Sequence, residues 1–101
     1  MGISSNPMLQ AESDCQRIEF IKNDLAMCST FTTLATMKYE AGNWNSAERS
    51  LGHAEGTYAA LLPLVSDPTY AKHLTSQQVL DFTAELERLR EKLDGLQRFR
   101  K

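Results

Sequence analysis

The chain has 101 residues, of which 42 % are hydrophobic and 24 % charged, and its formal net charge is −2. That is one domain of ordinary globular composition with room for a single modest core. The mildly acidic balance supplies no basic field for nucleic acid, and no run of 18 apolar residues offers a membrane span.

The N-terminal stretch Met1-Gly2-Ile3-Ser4-Ser5-Asn6-Pro7 has neither the basic nor the apolar region of a signal peptide. Gly2 suits myristoylation, but Asn6 stands where that signal wants Ser or Thr. Residues 1–8 read as a disordered leader and residues 9–101 as one helical domain.

Three segments then carry helical periodicity. The first runs from about Leu9 to Ala41, and its stripe is Ile18, Ile21, Leu25, Cys28, Thr32, Ala35 and Tyr39. The steps alternate between three and four, which places these side chains on one helical face. Ser29-Thr30-Phe31-Thr32-Thr33 is a poor helix former and predicts a bend or break. A second apolar stripe, Phe20, Met27, Phe31 and Leu34, lies about 120° from the first. A helix apolar on two faces touches two neighbours, or one neighbour and a partner.

Ala41-Gly42-Asn43 closes this helix and opens the next, with Gly suited to the position after a helix and Asn to the N-cap. The second helix runs from about Trp44 to Val65, striped by Trp44, Ala47, Leu51, Ala54, Tyr58, Leu61 and Val65. So short a connection makes the first two helices antiparallel neighbours. Gly52 and Gly56 inside the second helix point to a tight crossing, or to a place where a partner's backbone approaches.

Ser66-Asp67-Pro68-Thr69 is a turn signal, and a helical turn around Tyr70-Ala71-Lys72 fits the connection that follows. Thr75 with Gln78 fits a capping box. The third long helix runs to about Phe99 on the stripe Val79, Phe82, Leu86, Leu89, Leu93 and Leu96. Its other faces are charged and solvated, with Glu87–Arg90 and Asp94–Arg98 spaced for helical ion pairs. The expected fold is all-α: an antiparallel three-helix bundle, or four helices if the N-terminal stretch folds separately.

Residues 28–61 also carry a more specific pattern. Phe31, Leu34 and Ala35 are followed by Gly42, Trp44 and Ala47, then by Leu51 and Ala54. This resembles a single tetratricopeptide (TPR) repeat, in which small residues let two helices approach and aromatics fill the space beside them. Lys38 departs from the pattern where it wants Tyr, and Ala59 where it often has Pro. No second copy follows, so the groove of a repeat array is not implied. The resemblance implies a TPR-like helical hairpin and, through it, protein binding.

No catalytic or metal pattern is complete. His53 and His73 lack a Glu three residues before them, and His53-Ala54-Glu55 is not followed by Pro-Cys-x-x-Cys. Cys15 and Cys28 are too far apart on one helix to bond, and two free thiols suit the cytoplasm. The expectation is therefore a non-enzymatic interaction or scaffold domain, without cofactor or metal, that binds a partner protein or a second copy of itself. Phe20, Met27, Phe31 and Leu34 are the candidate partner-binding residues. The alternative is a small ligand-binding or catalytic bundle, whose polar groups would come from Cys28, Thr32, Tyr39 and Tyr58. A basic tail, Arg98-Phe99-Arg100-Lys101, complements the helix dipole or meets a phosphate or an acidic partner.

Overall fold

The computed structural model describes the backbone of residues 7–99 and the side chains of residues 15–99. The expected leader lies mostly outside the described residues, but Pro7 and Met8 are already helical. The elements are α1 (Pro7–Glu40), α2 (Trp44–Ser66), the single turn α3 (Pro68–Ala71) and α4 (Ser76–Leu96). A 3-10 turn over Gln97–Phe99 follows α4, and the described residues include no strand. The protein is an all-α helical bundle, drawn out to 61 × 21 × 16 Å.

The first helix is continuous, against the expected bend at residues 29–33. Its 34 residues span about 51 Å. The hydroxyls of Thr30, Thr32 and Thr36 each donate to the carbonyl four residues earlier, at 2.9, 2.7 and 2.9 Å. These bonds stay inside the helix, and burial of Thr32 in the bundle outweighs weak propensity. The N-terminal stretch is thus the first turns of α1 and not a separate helix.

Gly42 ends α1 with a φ of +80°, where a Cβ would be strained. Its N–H donates to the Tyr39 carbonyl at 3.0 Å, and the Asn43 N–H reaches the Lys38 carbonyl at 2.8 Å. This paired closure satisfies the last carbonyls of the helix and turns the chain back. Asn43 occupies the N-cap of α2 without a side-chain cap. Further on, the Asp67 carboxylate caps α3 by accepting from the Thr69 N–H at 2.9 Å. Thr75 and Gln78 form the expected capping box, with bonds of 2.8 and 3.1 Å.

Helices α1 and α2 make the main hairpin, and α4 lies against both of them. Lys22 and Ala26 flank Gln78 and Asp81, while Thr33 and Met37 flank Lys92 and Gly95. Helix α4 therefore runs parallel to α1 and antiparallel to α2. The core follows the three stripes. Ile21, Leu25, Cys28, Ala35 and Tyr39 meet Ala47, Leu51, Ala54, Leu61 and Val65 under Phe82, Leu86, Leu89, Leu93 and Leu96. Burying a large apolar side chain contributes about 1.5–3 kcal/mol, so this set holds the bundle together.

Trp44 departs from its stripe. It is 48 % exposed and touches Tyr39 and Phe99 edge-on, with ring centroids 5.2 and 6.1 Å away. It stands on the first residue of α2, where no further turn covers it. Gly52 and Gly56 also differ from the tight-crossing reading, because a Cβ at either would meet nothing within 4 Å. No helix of the described residues is long and apolar enough to cross a membrane.

Candidate functional site

The second stripe of α1 lies on the back of the hairpin, away from α4. With 100° per residue, Phe20, Met27, Phe31 and Leu34 project beside α2 on the side opposite the α1–α4 contact. Two contacts fix this placement. The Phe31 ring stacks on His53 of α2 at 5.0 Å, and the Lys38 ammonium donates to the Ser50 hydroxyl at 3.0 Å. The same geometry brings Thr57, Ala60 and Leu64 of α2 to this face.

The four candidate residues divide into two pairs. Phe20 is 53 % and Met27 48 % exposed. Phe31 and Leu34 are half-buried, and Phe31 packs against the core as well as on His53. Among residues 15–99, helix geometry places three formal charges within about 60° of the face direction, namely Asp24, Lys38 and Arg49. The face thus combines two half-exposed apolar side chains, two half-buried ones and few charges.

The candidate polar groups of the interior do not converge into a chemical site. The Cys28 thiol donates to the Ala54 carbonyl at 3.3 Å, and Thr32 is spent on the Cys28 carbonyl. Burial pushes the Cys28 thiol above its ordinary pKa, and its hydrogen-bonding contact with Thr32 only opposes this. A protonated, fully buried thiol is a poor nucleophile. Tyr39 is stacked under Phe99, with centroids 4.8 Å apart and rings within 4° of parallel. Tyr58 lies beneath the Arg90 guanidinium at 5.1 Å. Among the described residues, Lys38 and Ser50 form a lysine–hydroxyl pair. The ammonium is the donor there, so it offers the serine no base.

Asp94 is bridged by Arg90 at 2.7 Å and not by Arg98, and this bond raises the Arg90 pKa. Arg98 instead sits over Phe99, 4.9 Å from the ring centroid. The grooves beside α4 are open. One, of about 500 Å³, is lined by Lys22, Leu25, Phe82, Asp81 and Glu85. Another, of about 340 Å³, is lined by Thr33, Thr36, Met37, Lys92, Leu96 and Arg98. No three His, Cys, Asp or Glu side chains of the described residues are grouped to hold a metal.

No protein-family model, curated protein or solved structure matches this chain. The residues themselves carry the functional reading.

Proposed function

We propose that the protein is a helical interaction domain that docks a partner on the back of its α1–α2 hairpin. The observation that carries this reading is the pair Phe20 and Met27. Both are half-exposed on a face with few charges, while the core closes without them. Association would remove their apolar surface from water, which is the usual driving force for burying a helix face against a partner. The TPR-like reading of the hairpin supports the same role, since Ala35, Ala47 and Ala54 are each fully buried. Two free cysteines, one exposed and one buried, fit a reducing cytoplasm.

The experiment is quantitative affinity capture from the native host with wild-type bait and with Phe20→Glu and Met27→Glu baits. The reading expects a set of proteins, other copies of the chain included, that both substitutions lose while circular dichroism stays unchanged. Identical recovery by all three baits would refute it. The Cys28 thiol and the Thr32 hydroxyl of the core are spent on backbone carbonyls, so the same face supports binding better than the interior supports catalysis.

A further inference from the structure

We infer that the partner on this face is a second copy of the chain, joined about a two-fold axis that runs parallel to the helices. The inference rests on the interaction reading above and names its occupant.

The argument starts from the shape of the face. Helix α2 has 23 residues, so the hairpin is about 34 Å long beside it. Two helices 8–10 Å apart present a width of about 18–20 Å. The footprint is then roughly 600–700 Å² per copy, or about 1,200–1,400 Å² for the pair. That reaches the lower edge of stable, specific interfaces. The long flat hairpin therefore offers enough area to pair with itself, without help from α4.

The next consideration is what meets what. Most bulky side chains of the face, Phe20, Met27, Phe31 and Leu34, belong to α1, and the one large apolar residue of α2 there, Leu64, stands at the Phe20 end. The side chains on the α2 half are smaller over its centre: His53, Thr57 and Ala60, with Gly56 at the edge. A two-fold axis along the helices lays each α1 over the partner's α2. Bulky residues then oppose small ones, and every neighbouring pair of helices is antiparallel, as in four-helix bundles. Direct contacts set the level along the axis. Phe31 lies beside His53, so Met27, one turn earlier, lies level with Gly56 and Thr57. The rotation preserves that level and carries Met27 to within one turn of the partner's Ala60. Charge opposes the pairing at one end only, where the rotation sets Lys38 within a turn of the second copy's Arg49. Lys38 and Arg49 stand at one end of the face, Lys38 is tied to Ser50, and the centre from Met27 to Leu34 holds no ionic side chain.

The test is sedimentation equilibrium over a hundredfold concentration range, joined to site-directed cross-linking. An interface of this size is expected to dissociate in the micromolar range. Met27→Glu should weaken association at least tenfold with helicity unchanged, because it places carboxylates in an apolar seam. Leu80→Glu, on the far side of α4 and 64 % exposed, should leave association unchanged. For geometry, the Met27→Cys and Ala60→Cys chains, each also carrying Cys15→Ser, are mixed with a short bis-maleimide. The unlike pair should link more than either chain with itself.

A monomer at all concentrations overturns the inference. If Met27→Glu still abolishes capture from the host, the interaction reading stands and its occupant is another protein. A dimer that Leu80→Glu dissolves, or that links preferentially through Met27 to Met27, also overturns the two-fold pairing.

Discussion

Replacing Phe99 by Ala should unclip the C-terminal end of α4 from the hairpin. Phe99 lies past the last α-helical residue, in the 3-10 turn, yet its ring stacks on Tyr39 and meets Trp44. A fully buried Phe contributes about 1.5–3 kcal/mol, and Phe99 is half-buried, which leaves about 1–1.5 kcal/mol. An aromatic pair adds about 0.5–1.5 kcal/mol beyond its area, and the Tyr39 stack is the closer of the two contacts. The loss should total about 1.5–3 kcal/mol, or a fall in Tm of roughly 6–24 °C for a domain of this size. Trp44 is the only tryptophan and touches the ring, so its emission should shift to the red in the same variant. Phe99→Leu keeps most of the apolar contact and should recover about half of the loss. Arg98→Ala, which removes only a cation over the ring's face, should cost well under 1 kcal/mol. Urea and thermal unfolding followed by tryptophan fluorescence measure all three. A Phe99→Ala melt within 2 °C of wild type would refute the reasoning, because it would make the clasp a frayed end with no share in global stability.

The stripe of α1 should separate under charge substitution. Phe31→Asp should destabilise the monomer by about 2–4 kcal/mol in urea unfolding, since Phe31 packs on the core and on His53. Phe20→Glu and Met27→Glu should stay within about 0.5 kcal/mol when measured where the protein is monomeric. Gly52→Ala and Gly56→Ala should each stabilise the chain by up to about 1 kcal/mol, because the added methyl meets no neighbour and the helix gains propensity. Cys28 should give a pH signature. Its folded pKa lies above the unfolded value, so its contribution is complete below about pH 8.5 and is lost as pH rises toward the folded value. The stability of wild type should therefore fall faster than that of Cys28→Ala above about pH 9, and iodoacetamide should label Cys15 long before Cys28.

The core was legible because it depends on periodicity alone. Ile21, Leu25, Cys28, Thr32, Ala35 and Tyr39 share one angular sector of α1, and all six are buried. The capping box at Thr75 and the left-handed Gly42 were legible for a related reason, because each is a local bargain between a side chain and its own backbone. The departures occur where a residue's fate depends on position along the bundle. Trp44 has the right angle for the core but sits at its end, so the ring caps the interior and stays half in solvent. The bend expected at residues 29–33 failed because tertiary burial of Thr32 and back-bonding hydroxyls offset propensity. Gly52 and Gly56 carried a usable signal that spacing within the helix obscured. Their angles lie well away from those of Leu51, Ala54 and Leu61, which already placed them outside any crossing within this chain.

The candidate surface was legible for the same angular reason, and the structure separates its members by what each one does in the monomer. Phe31 has a use inside the fold, as a ring on His53 and a flank of the core. Phe20 and Met27 have no such use, since each leaves about half of its surface in water. On α4 the directions away from the core carry Glu85, Glu87, Arg88, Glu91 and Lys92, which is how a helix face meant for solvent is furnished. The back of the hairpin has the opposite composition over a comparable length. Folding alone would tolerate a lysine or glutamate at 20 and 27, because these positions lie outside the closed core. On the proposed reading, Phe and Met stand there for what the face meets after folding, and the charge substitutions at those two positions address that directly.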